Sequence, residues 1–365
     1  MSQALRNKRW FCGLSQACRI LFAITFVVSG FFKAIDPWGT ILSLNNYLAA
    51  YNLSAPEWLV VVLAILLCGA ELMMGCMLLF KLCIRLVSIF SVLSMLFFTV
   101  LTLLSATIVP VEDCGCFGEL VKLTPWQTFA KNLVLLPMAI CFWYRYRTDR
   151  ILAFSKYATL LMCLLFAISM GVGTYCYRHL PLIDMLPYKV GVDIAEEMNR
   201  AREQHSSEKV VLLYRNRQSG EVREFSVEDK EWQDDACWEW VDTRVESVEA
   251  GLEPLILEFY ISNAEGDKTH ELLAISGRLY MLCMRDSEYV NADARARFEA
   301  VERYAEANGG KVIYLTPEHL SDTAPHHLYN MDAKTMKTML RADYGLVELE
   351  DGVIVAKYNY RDIPY

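Results

Sequence analysis

Five long apolar stretches occupy the first half of this 365-residue chain and decide most of what it can fold into. With the first extended at its ends to Arg19 and Lys33, each is near the roughly 20 residues that a helix needs to cross about 30 Å of hydrocarbon. Lipid offers the backbone no hydrogen-bond partners, so helices are expected rather than open strands. The stretches cover residues 20–32, 59–80, 86–109, 125–144 and 157–177. The sequence therefore predicts an α-helical membrane bundle of about five spans.

The charges divide the chain at about residue 177. Residues 1–177 carry 13 Lys and Arg against 7 Asp and Glu, whereas residues 178–365 carry 22 against 36, so the net charges are +6 and −14. Such a division predicts a cytoplasmic N-terminus at 1–17, a transmembrane helical domain at 18–177 and a polar domain at 178–365. Because the polar half is acidic and would repel phosphate, a nucleic-acid-binding protein is not expected.

Basic residues in short loops predict the direction of the spans, because cytoplasmic loops carry an excess of Lys and Arg. In the loops 36–58 and 110–124, Lys122 is the only Lys or Arg. The segment before the first span and the loops after the second and fourth spans carry the basic residues Arg6, Lys8, Arg9, Lys81, Arg85, Arg145, Arg147, Arg150 and Lys156. We therefore expect a multi-pass protein of the bacterial cytoplasmic (inner) membrane, with its N-terminus inside and its C-terminal domain extracytoplasmic, in the periplasm.

The pattern after Pro181 is that of a water-exposed α/β or α+β domain. Two strand pairs are expected, 209–215 with 222–227 and 255–261 with 271–275. They are followed by a strand at 279–284, a helix at 293–308, a strand at 311–315, a helix at 332–341 and a hairpin of 346–349 with 353–358.

This order of strands and helices resembles a thioredoxin-like domain, but the catalytic motif of that family is missing. Where the family places Cys-x-x-Cys, this chain has only Cys283, followed by Met-Arg-Asp. No proline stands at 343–345, where the family's cis-proline would fall. A domain that binds or docks a partner is therefore favoured over a dithiol catalyst.

Cys114-Gly115-Cys116, in the predicted outer loop between the third and fourth spans, is the main candidate for chemistry. A disulfide between two cysteines that are separated by one residue would close a small, strained ring. Strain raises the reduction potential of a disulfide, so this disulfide would accept electrons easily. There are three alternatives. The two cysteines could form disulfides with Cys176, Cys237 or Cys283, they could bind a soft metal whose other ligands are not evident, or they could be reduced thiols that only pack. Most other cysteines fall in or beside spans, where a thiol packs as a small hydrophobe. Thr124, Pro125 and Gln127 predict a capped start for the fourth span, which would anchor this loop.

Glu71 is the second candidate, because an ionisable group near the centre of a span is costly and usually faces the bundle interior. It could carry protons or bind a polar head group, or it could be a protonated residue that only fixes packing. Lys33 and Lys131 lie near the outer ends of the first and fourth spans. They could extend to the interface, or line the same cavity as Glu71 and favour thiolates at Cys114 and Cys116.

These residues carry a resemblance to known families. Residues 29–37, Ser-Gly-Phe-Phe-Lys-Ala-Ile-Asp-Pro, and 69–75 around Glu71 resemble the DoxX-like superfamily. Asp113-Cys-Gly-Cys-Phe-Gly118 followed by Thr124-Pro125 resembles its MauE branch, whose members are associated with methylamine utilisation and with disulfide formation in an extracytoplasmic subunit. Together with residues 179–188, the additional span and outer domain resemble DoxX-like proteins of the Bacteroidetes type. The resemblance covers about residues 15–145 and implies a four-helix core with a quinone-linked or thiol-linked redox role.

Three functions remain open at this point. In the leading hypothesis, Cys114 and Cys116 exchange electrons with an extracytoplasmic thiol/disulfide protein, and the interior near Glu71 exchanges them with a membrane quinone. The others are a non-catalytic membrane scaffold whose outer domain binds a partner protein, and a small-solute permease with Glu71 in its pathway. The sequence carries no haem, flavin or nucleotide motif, and methylamine is not indicated as a substrate.

Overall fold

The structure is a computed structural model. It describes residues 8–108, 123–149, 156–217, 219–226, 229, 231–234, 237–247, 256, 259–285, 290–318 and 327–365. The chain forms two compact units, Met1–Leu186 and Pro187–Tyr365. The first is helical and the second is rich in strands.

The helical unit contains six described helices. They are α1 (Arg9–Ile35), α2 (Pro37–Ala50), α3 (Glu57–Leu79), α4 (Ile84–Thr107), α5 (Pro125–Tyr146) and α6 (Lys156–Arg178). The main core of this unit lies between α1, α3, α4 and α5 and includes Phe22, Leu78, Met95 and Phe142. Phe22 meets Phe142 edge to face with 5.3 Å between ring centroids, which joins α1 to α5.

Four of the five predicted spans are helices long and apolar enough to cross a membrane. They are Arg9–Ile35, Glu57–Leu79, Ile84–Thr107 and, within α6, Thr159–Arg178. The predicted span at 125–144 is helical as α5, but it is not among these four. Gln127, Lys131 and Asn132 in its first turns lower its hydropathy. Four of the five expected spans are thus supported. The other predicted span, α5, is a helix of the same unit but is more polar.

Helix α2 was not expected, because residues 36–58 were interpreted as an outer loop. Asp36 separates it from α1 and caps it, accepting a hydrogen bond from the Gly39 N–H at 3.3 Å. Pro37 takes the first position, where its missing N–H costs nothing. Trp38 and Ile41 pack against α3, so the helix is stabilised by burial although its 14 residues are too few for a span.

The strand-rich unit contains two sheets and four described α-helices. The helices are α7 (Ile194–Ser207), α8 (Thr269–Leu273), α9 (Ala292–Asn308) and α10 (Ala333–Met339). The strands are β1 (Glu208–Asn216), β2 (Val222–Ser226), β3 (Trp238–Ser247), β4 (Ile261–Asn263), β5 (Gly266–Asp267), β6 (Arg278–Met284), β7 (Lys311–Thr316), β8 (Leu328–Met331), β9 (Tyr344–Glu350) and β10 (Val353–Asn359).

The larger sheet has the order β10-β9-β6-β7-β8-β4-β5, and the smaller has β2-β1-β3. In the larger sheet β6 and β7 are parallel, whereas β9 is antiparallel to both of its neighbours. Helix α9 connects β6 to β7, and its buried Phe298 and Val301 pack with Tyr280, Leu282 and Leu346 of the sheet. These contacts form the core of this unit.

Most predicted elements of this unit are confirmed, but one strand pair is wrong. The 209–215 and 222–227 hairpin is present as β1 and β2, and the closing hairpin as β9 and β10. Residues 271–275 were expected to pair with 255–261, yet Thr269–Leu273 is a short helix. Instead, Ile261–Asn263 pairs with Gly266–Asp267 through a tight turn. The Thr269 hydroxyl accepts from the Ile261 N–H at 2.9 Å, which fixes this turn to the helix.

Candidate functional site

A buried ion pair joins the first two long helices of the helical unit. Lys33 Nζ of α1 lies 2.7 Å from Glu71 Oε1 of α3, and the two side chains are only 9% and 8% exposed. Ser29 Oγ, one turn before Lys33, donates to Glu71 Oε2 at 3.0 Å. Both carboxylate oxygens therefore have a donor. This satisfies a charge that would be very costly alone in an apolar interior.

Two glycines bring α1 and α3 close enough for this contact. A Cβ added at Gly30 would lie 2.5 Å from the backbone N of Leu72, and one at Gly75 would lie 2.7 Å from that of Val27. Neither separation is possible for a real side chain, so both positions require glycine at this helix spacing. Small residues at helix interfaces are the common means of close packing in membranes. The two helices run antiparallel, since Gly30 faces Leu72 while Val27 faces Gly75.

The ion pair forms part of the wall of a cavity of about 340 Å³ within the helical unit. Most of the lining is apolar or aromatic, including Phe97 and Phe98 of α4 and Tyr47 of α2. Lys33, Glu71, Lys131 and Asn132 also line it. Among the residues that the structure describes around this cavity, two lysines and one glutamate are its charged side chains. The cavity thus combines a long apolar wall with a positively biased polar region.

Asn132 of α5 fixes the polar region against α4. Its Nδ2 donates to the backbone oxygen of Phe98 at 3.3 Å and to Thr102 Oγ1 at 3.2 Å. The side chain is buried, and these contacts set the rotation of α5 that also places Lys131 at the cavity. Neither Asn132 nor Ser29 was predicted to have a role. Their signal was present, since both are polar residues at one end of an apolar span, but the partners depend on helix packing.

Of the five candidate residues from the sequence, the structure brings Lys33, Glu71 and Lys131 to one cavity. Cys114 and Cys116 lie outside the described residues. The chain on their C-terminal side is anchored as expected: Thr124 and Gln127 form a reciprocal capping box at the start of α5, with bonds of 2.9 and 3.2 Å. Ten cysteines fall among the described residues, and no disulfide joins any two of them.

Cys283, the cysteine nearest to where a thioredoxin dithiol would be, lies inside strand β6. Its side chain is buried in the sheet, opposite Gly345 of β9. Burial raises the pKa of this thiol to about 12, because the thiolate would lose its solvation. At neutral pH the group is a protonated, packed side chain with little reactivity. The thiol is thus part of the packed interior of the sheet.

Comparison with known proteins finds similarity in the helical unit. Residues 12–145 match the family model described as methylamine utilisation protein MauE, and they include nearly all of α1 and α5 and the whole of α2, α3 and α4. Residues 12–145 are thus similar to MauE, and the four apolar helices are those of a membrane protein. No curated protein and no solved structure matches the chain.

Proposed function

We propose that this protein is a membrane component of extracytoplasmic thiol redox chemistry. In this function Cys114 and Cys116 exchange electrons with a partner thiol/disulfide protein, and the cavity beside Lys33 and Glu71 holds a membrane quinone. The observation that carries the proposal is the buried ion pair in the wall of an apolar cavity inside a membrane-type helix bundle. The resemblance of the Lys33 and Glu71 segments to the DoxX-like superfamily points the same way.

The cavity suits a ligand with a polar ring and an apolar tail. Its volume of about 340 Å³ is that of a small-molecule site, and such sites combine apolar walls with a few placed polar groups. The Lys33 ammonium offers a hydrogen-bond donor at the polar region, and Phe97, Phe98 and Leu101 offer the apolar wall. When bound, a quinone accepts two electrons and two protons for each pair of thiols oxidised. Lys33 would hold a proton toward a carbonyl oxygen. The Glu71 carboxylate would keep that ammonium in place, and it would take up a proton released by the oxidised thiols and pass it to Lys33.

The thiol reaction would involve Cys114, Cys116 and a dithiol of the partner protein. Oxidation of Cys114 and Cys116 would form one S–S bond and release two electrons and two protons, and exchange with a partner dithiol would restore both thiols. These cysteines precede α5 in the chain, and α5 carries Lys131 and Asn132 in its first turns. The short connection through the Thr124 cap supports a functional link between the cysteine segment and the cavity.

The strand-rich unit is proposed as a thioredoxin-like domain that binds the partner protein. The order β10-β9-β6-β7, with β6 and β7 parallel and α9 between them, supports a thioredoxin-like architecture. Its buried Cys283 and the lack of Cys-x-x-Cys favour docking over catalysis. The distribution of Lys and Arg supports an N-terminus on the cytoplasmic side of the membrane and this unit on the opposite, extracytoplasmic side.

Thiol trapping in intact cells tests the proposal. A mass-tagging reagent is applied with and without prior reductant to the full-length protein and to a Cys114→Ser, Cys116→Ser variant. We expect Cys114 and Cys116 to change redox state with the conditions, and the double variant to fail to complement a deletion. If the cysteines stay reduced in every condition and the variant complements fully, the redox proposal is wrong and a scaffold is favoured. A permease would require Glu71 but not the cysteines.

A further inference from the structure

A second cavity lies in the strand-rich unit, between helix α9 and the larger sheet. Its volume is about 360 Å³. The apolar side chains that line it are Met284, Val290, Phe298 and Leu328. The polar side chains that line it are Arg295, Glu299, Glu302, Tyr314 and His327. None of these residues lines the cavity beside Lys33 and Glu71, so this is a separate place on the molecule.

Aromatic rings and an oriented carboxylate lie side by side in this cavity. The Tyr314 hydroxyl of β7 donates a hydrogen bond to Glu302 Oε1 of α9 at 2.8 Å, so it holds this carboxylate close to its own ring. The Tyr314 ring lies 6.2 Å from the ring of Phe298 and 5.5 Å from the imidazole of His327, measured between centroids. The Tyr314 N–H also donates to the backbone oxygen of His327 at 2.8 Å, which fixes His327 beside the tyrosine. Three rings and one carboxylate therefore meet at one place.

The charges of the cavity favour a cation. Glu299 lies on α9 one turn before Glu302, and among the described residues no ion pair engages either carboxylate. Arg295 is the one Lys or Arg among the described residues of the lining, and its side chain is exposed. Two glutamates thus face one arginine. Residues 178–365 as a whole carry a net charge of −14, which would attract a cationic partner.

We propose that this cavity binds an arginine side chain of the partner protein. A guanidinium is planar, stacks on aromatic faces and donates two parallel hydrogen bonds to a carboxylate. Tyr314 and His327 would supply the aromatic faces, and Glu302 would supply the carboxylate. Each carboxylate oxygen has two lone pairs, so the hydrogen bond from Tyr314 leaves Glu302 able to accept others. The methylene groups of the arginine would cover the apolar lining at Met284 and Leu328.

Arginine fits these groups better than lysine or a neutral side chain does. A lysine ammonium is a compact, strongly hydrated charge that cannot stack or form the paired hydrogen bonds. A neutral side chain would leave the carboxylates without a counter-charge. The inference rests on the proposed function in one respect, because that function assigns partner binding to this unit. Binding of the side chain itself does not depend on a quinone or on Cys114 and Cys116.

Ligand-observed NMR with the purified full-length protein in lipid nanodiscs tests the inference. Saturation transfer is titrated with acetyl-arginine N-methylamide, whose ends are uncharged, and with the corresponding lysine and citrulline compounds. The citrulline compound is the neutral isostere of the arginine compound. The lipids are zwitterionic and the signal of empty nanodiscs is subtracted, so that binding of the guanidinium to lipid does not contribute. Glu302→Gln removes the charge but keeps an acceptor for Tyr314, and Glu306→Gln, at an exposed residue of α9 outside the cavity lining, is the matched control.

We expect saturable binding of the arginine compound, weaker binding of the lysine compound and no binding of the citrulline compound. Glu302→Gln should weaken arginine binding about tenfold, because charge-assisted hydrogen bonds are replaced by neutral ones, whereas Glu306→Gln should bind as the wild type does. The inference is overturned if the arginine compound does not bind, if citrulline or lysine binds equally well, or if the two variants have equal affinities. Absence of arginine binding together with active Cys114 and Cys116 would leave the redox part of the proposed function intact.

Discussion

Lys33 Nζ and Glu71 Oε1 lie 2.7 Å apart in the interior of the helical unit, on two helices that run antiparallel. Because Ser29 also donates to Glu71, the carboxylate is fully engaged by α1. The pair therefore locks α1 to α3 in one register and in one rotation. It also keeps a charged donor and a charged acceptor at the wall of the cavity.

Breaking this pair from one side should destabilise the protein strongly. Lys33→Met leaves the Glu71 carboxylate buried without its cation, and such a change costs about 3–5 kcal/mol. The Lys33→Met, Glu71→Met double variant removes both charges and should recover most of that loss. Thermal unfolding in nanodiscs measures the three stabilities. Equal melting temperatures for the wild type and the single variant would show that the ion pair does not form.

The close contact of α1 and α3 makes a second prediction. Gly75→Ala would place a Cβ 2.7 Å from the Val27 backbone N, so the helices must separate or shift. Overpacking of this kind costs about 1–3 kcal/mol. Gly171→Ala in α6 is the control, because a Cβ there meets nothing within 4 Å. If both variants melt at the same temperature, the helices are not packed as closely as described.

Cys283 gives a prediction on pH. Burial raises the pKa of this thiol from 9.0 to about 12, so the thiolate appears only as the pH rises toward 12. Between pH 7 and 9 its alkylation by iodoacetamide should be roughly a thousandfold slower than that of an ordinary exposed thiol, because only the thiolate reacts. Peptide mapping after timed labelling measures the rate for each cysteine. Unfolding in denaturant should restore ordinary reactivity.

Cys237 is the internal control for that experiment. It lies in the same unit but is not buried, and hydrogen bonding to Asp234 raises its pKa for a different reason. Asp234→Asn removes a negative charge next to the thiol, so it should speed labelling of Cys237 and leave Cys283 unchanged. Rapid labelling of Cys283 in the folded protein would contradict its placement inside β6.

Local features of the sequence predicted most of the helices and the central strands, because they can be interpreted without knowing the fold. These features are the apolar spans, the turn residues before Val222 and Val353, and the Asp332 cap of α10. Helix α2 was missed because its 14 residues are stabilised by packing against α3 rather than by their own pattern. The short helix Thr269–Leu273 was mistaken for a strand for a related reason, since five residues show no reliable period.

Some residues of the candidate site could also be predicted from the sequence, whereas their contacts could not. Glu71, Lys33 and Lys131 were visible as ions in apolar surroundings, and their shared cavity was one of two possibilities. Their partners were not visible, because Ser29 with Glu71 and Asn132 with Thr102 are contacts between helices.

The central claim is that the cavity beside Lys33 and Glu71 couples a quinone to the thiols of Cys114 and Cys116. Its most direct test is to mix the fully reduced protein in nanodiscs with a short-chain quinone, following quinone absorbance while mass tags count the thiols at 114 and 116. We expect that one quinone is reduced for each pair of these thiols lost, and that Glu71→Gln or Lys33→Met greatly slows both changes. Thiols that stay reduced in excess quinone, or that are oxidised equally fast in both variants, would contradict it.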